Sequence, residues 1–148
     1  MADTDRALFV AGLEAAVVDV YRVLLQRGSL TAEQTDIVTV LAQHHDEHCV
    51  ALAAVGLQPR SAIERNDTLY AELNQTVLGD DPMGAIHAVE EHLTATHVAS
   101  LALLETTDAA AAVASILPVE ARHAVALVPT ALPPLESDQD AYDEASYG

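Results

Sequence analysis

The feature that most constrains this chain is a pair of ionisable residues on an otherwise apolar helical stripe. Residues 116–127 read ILPVEARHAVAL, with Glu120 and His123 three positions apart. Apolar residues recur around the pair at alternating spacings of three and four, which is the period of the buried face of a helix. A carboxylate and an imidazole left alone in an apolar interior cost roughly several kcal/mol. The fold must therefore bring a partner or a metal ion to this pair.

The first half of the chain predicts a helical hairpin with the same peculiarity. Helix 1, over residues 3–27, carries Glu14 in the middle of its apolar stripe. Helix 2, over residues 31–56, carries His45 and His48 on its stripe. The connection between the two helices is so short that they must run antiparallel.

The second half repeats the plan after one long connection, residues 57–81. Helix 3 begins at Pro82 and carries Glu90 on its stripe, and helix 4 continues to about Leu132 with the pair described above. A connection of this length can travel the height of a bundle, as in bundles with one crossover. The predicted helix signals are an Asp3 or Thr4 N-cap, a stop at Gly28, a Thr31 and Gln34 capping box, and an Asp81 cap before Pro82.

An internal repeat places the ionisable residues at one height. The offset from Glu14 to His48 is 34 residues and that from Glu90 to His123 is 33. Counted from each hairpin turn at 1.5 Å per residue, the acids and the histidines lie at similar levels. The residues predicted to converge at mid-height of one bundle are Glu14, His45, His48, Glu90, Glu120 and His123.

The six residues together predict a metal site. A single histidine on an apolar stripe is more often a hydrogen-bonded core residue, and a single glutamate is often out of phase with the stripe. Matched heights and a repeated plan make that explanation hard to sustain for all six. Carboxylate and imidazole are ligands of iron, manganese and zinc, and a glutamate can bridge two ions through its two oxygens.

Composition narrows the class of protein. The 148 residues suffice for one domain with a continuous core, and with 51% apolar but only 3% aromatic residues that core must consist of Ala, Val and Leu. The net charge of -17 argues against nucleic acid and anionic membranes as partners. The lone Cys49, the N-terminus without a signal peptide, and an uncharged stretch (residues 109–119) too short for a bilayer indicate a cytoplasmic protein. We expect a bundle domain over residues 1–133 and an acidic tail over residues 134–148.

Four motifs give the sequence a resemblance to the ferritin-like superfamily, and specifically to actinobacterial ferritin-like domain proteins. They are LEAAVVDVY at 13–21, HHDEHCVAL at 44–52, VEEHLTATH at 89–97 and ILPVEARHAVAL at 116–127. The resemblance implies an all-α four-helix bundle with a dinuclear centre, typically of iron, that serves oxygen chemistry or iron handling. By position it assigns five ligands. Tyr21 and His97, which occupy corresponding places in the two halves, are expected to orient ligands. The assigned ligands are Glu14, His48, Glu90, Glu120 and His123.

One residue departs from the superfamily pattern. The second helix of that pattern has Glu-x-x-His, and here His45 stands in place of the glutamate. A neutral imidazole does not bridge two ions as a carboxylate does, and the site loses one negative charge. A dimetal site bridged by Glu120 is the first interpretation, and a mononuclear or zinc-occupied site is the alternative.

Two functions of different classes follow. The first is a metal-binding protein, with oxidase, peroxidase and ferroxidase activity as the candidate reactions and dioxygen or peroxide as the candidate substrates. The second is a redox-inactive bundle that serves as a binding or assembly module, for which His45 and the acidic tail with Tyr142 and Tyr147 argue. Close packing of Ala-rich helices makes a homodimer a further expectation.

Overall fold

A computed structural model describes residues 1–127 and 144–147, and within these ranges the chain forms helices and turns without a strand. The helices are α1 (Asp3–Arg27), α2 (Ala32–Val55), α3 (Asp67–Thr76), α4 (Pro82–Leu101), α5 (Thr107–Leu127) and α6 (Glu144–Tyr147), with a 3-10 turn at Arg60–Ala62. The predicted all-α four-helix bundle is confirmed, with α1, α2, α4 and α5 as its long helices. The end of the last helix predicted near Leu132 and residues 134–143 of the tail lie outside the described residues.

Local signals set most helix ends. The hydroxyl of Thr31 accepts from the Gln34 N–H, and the Gln34 side chain accepts from the Thr31 N–H, so the predicted capping box forms. Gly28 ends α1 with φ 64°, a left-handed conformation that glycine adopts without steric cost. The carboxylate of Asp81 accepts from the Gly84 N–H at 3.1 Å, as expected of the cap before Pro82.

The predicted cap of α1 is wrong. Ala2 is its N-cap, and α1 begins at Asp3. The Asp3 carboxylate instead accepts from the backbone N–H groups of Glu105 and Thr106 and from the Thr106 hydroxyl. Asp3 therefore ties the beginning of α1 to the turn before α5, because a carboxylate satisfies more donors there than at its own helix end.

The long connection crosses the bundle from one end to the other. It leaves α2 at Gly56, which lies against Leu8 near the beginning of α1. It reaches Leu78, whose carbonyl accepts from the Arg27 guanidinium at the end of α1. Helices α2 and α4 consequently run in the same direction, which is the predicted single crossover.

Helix α1 is the most enclosed element because α3, within the crossover, packs on its outer side. Of its 25 residues 13 are buried, more than one helical stripe can supply.

Helix α5 is long and apolar enough to cross a membrane by length and composition alone. Its inward stripe carries Glu120 and His123, both buried against the other long helices, so in this fold it forms part of the bundle core.

Candidate metal centre

All six predicted ligands meet in the middle of the bundle, and none of them is more than 6% exposed. They form two overlapping sets of four, and within each set the ligand atoms lie within 4.8 Å of one another. We call the first set, Glu14, His45, His48 and Glu120, the Glu14 group. We call the second set, His45, Glu90, Glu120 and His123, the Glu90 group. Both contain His45 and Glu120; the role of the six residues as ligands remains a prediction.

Four short distances define the Glu14 group. His45 Nδ1 lies 2.7 Å from Glu14 Oε2 and 3.6 Å from Glu120 Oε1. His48 Nδ1 lies 2.8 Å from Glu120 Oε1 and 3.8 Å from Glu14 Oε2. Two nitrogens and two oxygens thus enclose one small volume, which α1, α2 and α5 border.

The Glu90 group is organised around one well-satisfied carboxylate. The Tyr21 hydroxyl donates to Glu90 Oε1 at 2.7 Å, and His45 Nε2 lies 3.0 Å from the same oxygen. His123 Nδ1 lies 3.0 Å from Glu90 Oε2 and 3.8 Å from Glu120 Oε2. Glu90 therefore has three partners before any ion is considered.

The two residues predicted to orient ligands contact the opposite hairpin. Tyr21 of α1 donates to Glu90 of α4, while His97 Nε2 of α4 lies 2.6 Å from Glu14 Oε1 of α1. Both Tyr21 and His97 are fully buried. Tyr21 and His97 thus hold the two carboxylates in fixed orientations from across the bundle. The outer partners of metal ligands commonly have this role.

The buried carboxylates and imidazoles of the site shift the pKa values of one another. Burial alone would raise the pKa of Glu14, but the charge of His45 and hydrogen bonds from the imidazoles around it hold that pKa well below its usual value. Burial alone would lower the pKa of His45, and the charges of Glu90, Glu120 and Glu14 raise it well above 6.5. A metal ion that binds His45 must therefore compete with a proton for its ring nitrogen.

His48 and His123 also have raised pKa values. Despite its burial, the neighbouring carboxylates of Glu120 and Glu14 raise the pKa of His48 to about 9. Despite its burial, the neighbouring carboxylates of Glu120 and Glu90 raise the pKa of His123 above 6.5. The pKa of Glu90 is lowered below 4.5, since the charge of His45 and the hydrogen bond from His123 outweigh burial.

Glu120 lacks the hydrogen bonds that its neighbours have. Among the described residues, its two buried oxygens and His48 Nδ1 find no partner in hydrogen-bonding geometry, although those two residues lie within ion-pair distance. A buried carboxylate without hydrogen bonds is costly, and a cation between Glu120 and its neighbours would satisfy it. The residues present therefore fit a metal ion of the kind that carboxylate and imidazole hold.

Sequence reasoning gives no sign of the contact that His44 makes. His44 is half-buried, and its Nδ1 lies 2.8 Å from His123 Nε2 on α5. Burial, before the charge of His123, lowers the pKa of His44. The spacing within one helix gives no sign of this contact, because the partner belongs to another helix. The thiol of Cys49, next to His48 in the chain, donates to the Ala11 carbonyl.

The family model of the ferritin-like domain matches residues 2–132. No curated protein and no solved structure matches the chain significantly. The matched range includes every helix that contributes a side chain to the site.

Proposed function

The chain belongs to the ferritin-like domain family, and we propose that it binds iron in the centre of its bundle, with manganese and zinc as alternative ions. Dioxygen or peroxide is the proposed co-substrate, in an oxidase, peroxidase or ferroxidase reaction. The observation that carries the proposal is the buried Glu120 carboxylate. Its two oxygens have no hydrogen-bond partner among the described residues and lie beside buried imidazoles.

The surroundings of the site suit a redox ion. Iron, when bound, would supply electrons to dioxygen or peroxide. Glu14 and Glu120 would offset the charge of the ion, and His45 and His48 would complete its ligands. His97 holds Glu14 in place at 2.6 Å, and the near-complete burial of the set keeps bulk water away. Fixed ligands in a dry site favour one geometry and protect reactive oxygen species from side reactions.

Metal content and oxygen uptake test the proposal. The full chain, purified from cells supplied with iron and zinc, should retain metal on elemental analysis and consume dioxygen when ferrous iron is added. A chelator should lower its melting temperature, because an ion that binds only the folded state stabilises that state. Glu120→Gln should lose both properties. The control Glu91→Gln, at a half-buried position of α4 that faces His87, should keep them. Wild-type protein without metal, and without a response to chelator, would contradict the proposal.

A redox-inactive binding module is the second candidate, and one observation favours it. His45 joins Glu14 and Glu90 in the manner of a cation, with its two nitrogens 2.7 and 3.0 Å from their oxygens. The expectation that the acidic tail binds a partner finds less support at Tyr147. Its hydroxyl donates to Glu72 at 2.8 Å and its carbonyl accepts from Asn66, so this residue is engaged with the bundle. Under this candidate a deletion of residues 135–148 abolishes partner capture and leaves metal content unchanged.

A further inference from the structure

We propose that the centre takes a single ion, held by the Glu14 group, and that Glu90 and His123 are outer residues. This rests on the proposed function insofar as the site must bind metal at all. It differs from the dinuclear centre implied by the family resemblance. The departure traces to His45, which stands where the family pattern has a bridging glutamate.

The distances within the Glu14 group suit one four-coordinate ion. Metal–ligand bonds of 2.0–2.2 Å in a tetrahedron place neighbouring ligand atoms about 3.3–3.6 Å apart. The four measured distances, 2.7, 2.8, 3.6 and 3.8 Å, lie on both sides of that separation. Small side-chain shifts would equalise them around an ion.

Two atoms of this group have no hydrogen-bond partner among the described residues. They are His48 Nδ1 and Glu120 Oε1, which border the volume enclosed by the Glu14 group. The second Glu120 oxygen, Oε2, also has no such partner and lies 3.8 Å from His123 Nδ1. Glu90, in contrast, already accepts from Tyr21 and lies within hydrogen-bond distance of two imidazoles. More of the unpartnered ligand atoms therefore face the Glu14 group than the Glu90 group.

His45 divides the two sides. When Nδ1 binds an ion, Nε2 carries the proton and donates it to Glu90 Oε1, which is 3.0 Å away. A carboxylate that accepts from the distal nitrogen of a ligating histidine is the usual outer partner in metal sites. Tyr21 and His123 then hold Glu90 in that position.

The number of carboxylates in the site also favours a single divalent ion. Two carboxylates, Glu14 and Glu120, neutralise one divalent cation within the Glu14 group. Two divalent cations would bring four positive charges to a site with three carboxylates. A buried charge without a counter-charge is costly, so the second ion is disfavoured.

The test uses the full chain, Zn²⁺ and Co²⁺, and paired substitutions. Equilibrium dialysis should give one ion per wild-type chain, and the Co²⁺ form should show the intense visible absorption of four-coordinate cobalt. Glu14→Gln should weaken binding by more than about 100-fold, whereas Glu90→Gln should keep one ion and weaken it by about 10- to 100-fold, the usual cost of an outer partner. If Glu14→Gln or Glu90→Gln fails to fold, His48→Gln and His123→Gln provide the same comparison between a proposed ligand and an outer residue.

The outcomes are distinct. Two ions per wild-type chain, or a loss in Glu90→Gln that equals or exceeds that in Glu14→Gln, would overturn the single-ion proposal and leave metal binding intact. Weak visible bands of six-coordinate cobalt would overturn the proposed ligand set. No bound ion in the wild type would instead remove the proposed function itself.

Discussion

The two hairpins of the bundle follow one plan and differ at one of the predicted ligand positions. Glu14 of the first hairpin corresponds to Glu90 of the second, and His48 corresponds to His123. The exception is His45, whose counterpart in the second hairpin is Glu120. The chain thus contains two versions of one half-site, one with an imidazole and one with a carboxylate at the same place.

The two residues behave differently in the structure. His45 contacts both Glu14 and Glu90. Within the part of the chain that the structure describes, Glu120 makes no hydrogen bond with either of its oxygens. An imidazole at this position serves as a cross-link between carboxylates, and a carboxylate serves as an open acceptor. A single exchange therefore turns a centre with two equivalent sides into a centre with one side that needs a cation.

Restoration of the carboxylate should have the largest effect. His45→Glu should raise the number of bound ions from one to two per chain, because both hairpins then offer a bridging carboxylate. Without metal the variant should be about 3–5 kcal/mol less stable, since Glu14 and Glu90 lose their shared partner inside the core. Elemental analysis and urea unfolding in the presence of chelator measure the two effects, with His87→Gln on α4 as the control. One ion per chain in His45→Glu would show that the difference between the hairpins does not set the ion count.

The metal-free protein should lose stability in alkali through the imidazoles. The raised pKa of His48 means that its contribution is complete below about pH 6.5 and disappears as the pH rises through about 9. The loss should be about 3 kcal/mol, from 1.36 kcal/mol per pKa unit. The lowered pKa values of Glu14 and Glu90 act in the opposite direction and remove stability as the pH falls below about 4.5.

Unfolding midpoints in urea, measured with chelator across this pH range, test the sign. The midpoint of the wild type should be highest between about pH 4.5 and 6.5 and fall toward pH 9. The midpoint of His48→Gln should fall less over the same range. A constant midpoint from pH 6 to 9 would contradict the ion-paired description of the metal-free site.

The two crosswise hydrogen bonds should differ in their effect on metal affinity. His97→Gln disturbs Glu14, a proposed ligand, and should weaken Zn²⁺ binding by about 10- to 100-fold. Tyr21→Phe disturbs Glu90, which contacts the ion only through His45, and should weaken binding less. Isothermal titration with Zn²⁺ compares the pair, and a larger loss in Tyr21→Phe would place the ion on the Glu90 side.

The smallest effect should follow removal of the His44 contact. His44→Phe deletes the partner of His123 Nε2, and the free energy of unfolding should fall by about 1 kcal/mol. Zn²⁺ affinity should remain almost unchanged, because in this account His123 is not a ligand. A loss of about 10-fold or more would indicate that His123 binds the ion and that His44 orients it.

The sequence predicted the architecture well because the relevant signals are local. Apolar periodicity located the long helices, and the Thr31 capping box and Gly28 located two of their ends. The nearly equal offsets from Glu14 to His48 and from Glu90 to His123 placed four side chains at one height. Each of these features depends on the geometry of a single helix or a single hairpin.

Contacts between elements that are distant in the chain could not be predicted from these local signals. Asp3 caps residues more than 100 positions away instead of its own helix, and His44 turns toward α5. The division of the site into two groups depends on which nitrogen of His45 faces which carboxylate. Periodicity assigns a residue to a face of its helix, but the arrangement of side chains across four helices decides its partners.

A crystal structure of the metal-loaded protein, with anomalous scattering measured at the absorption edge of the bound metal, tests the central claim most directly. We expect one peak per chain, within bonding distance of Glu14, His45, His48 and Glu120. Two peaks on either side of Glu120, or a single peak between Glu90 and His123, would contradict the account.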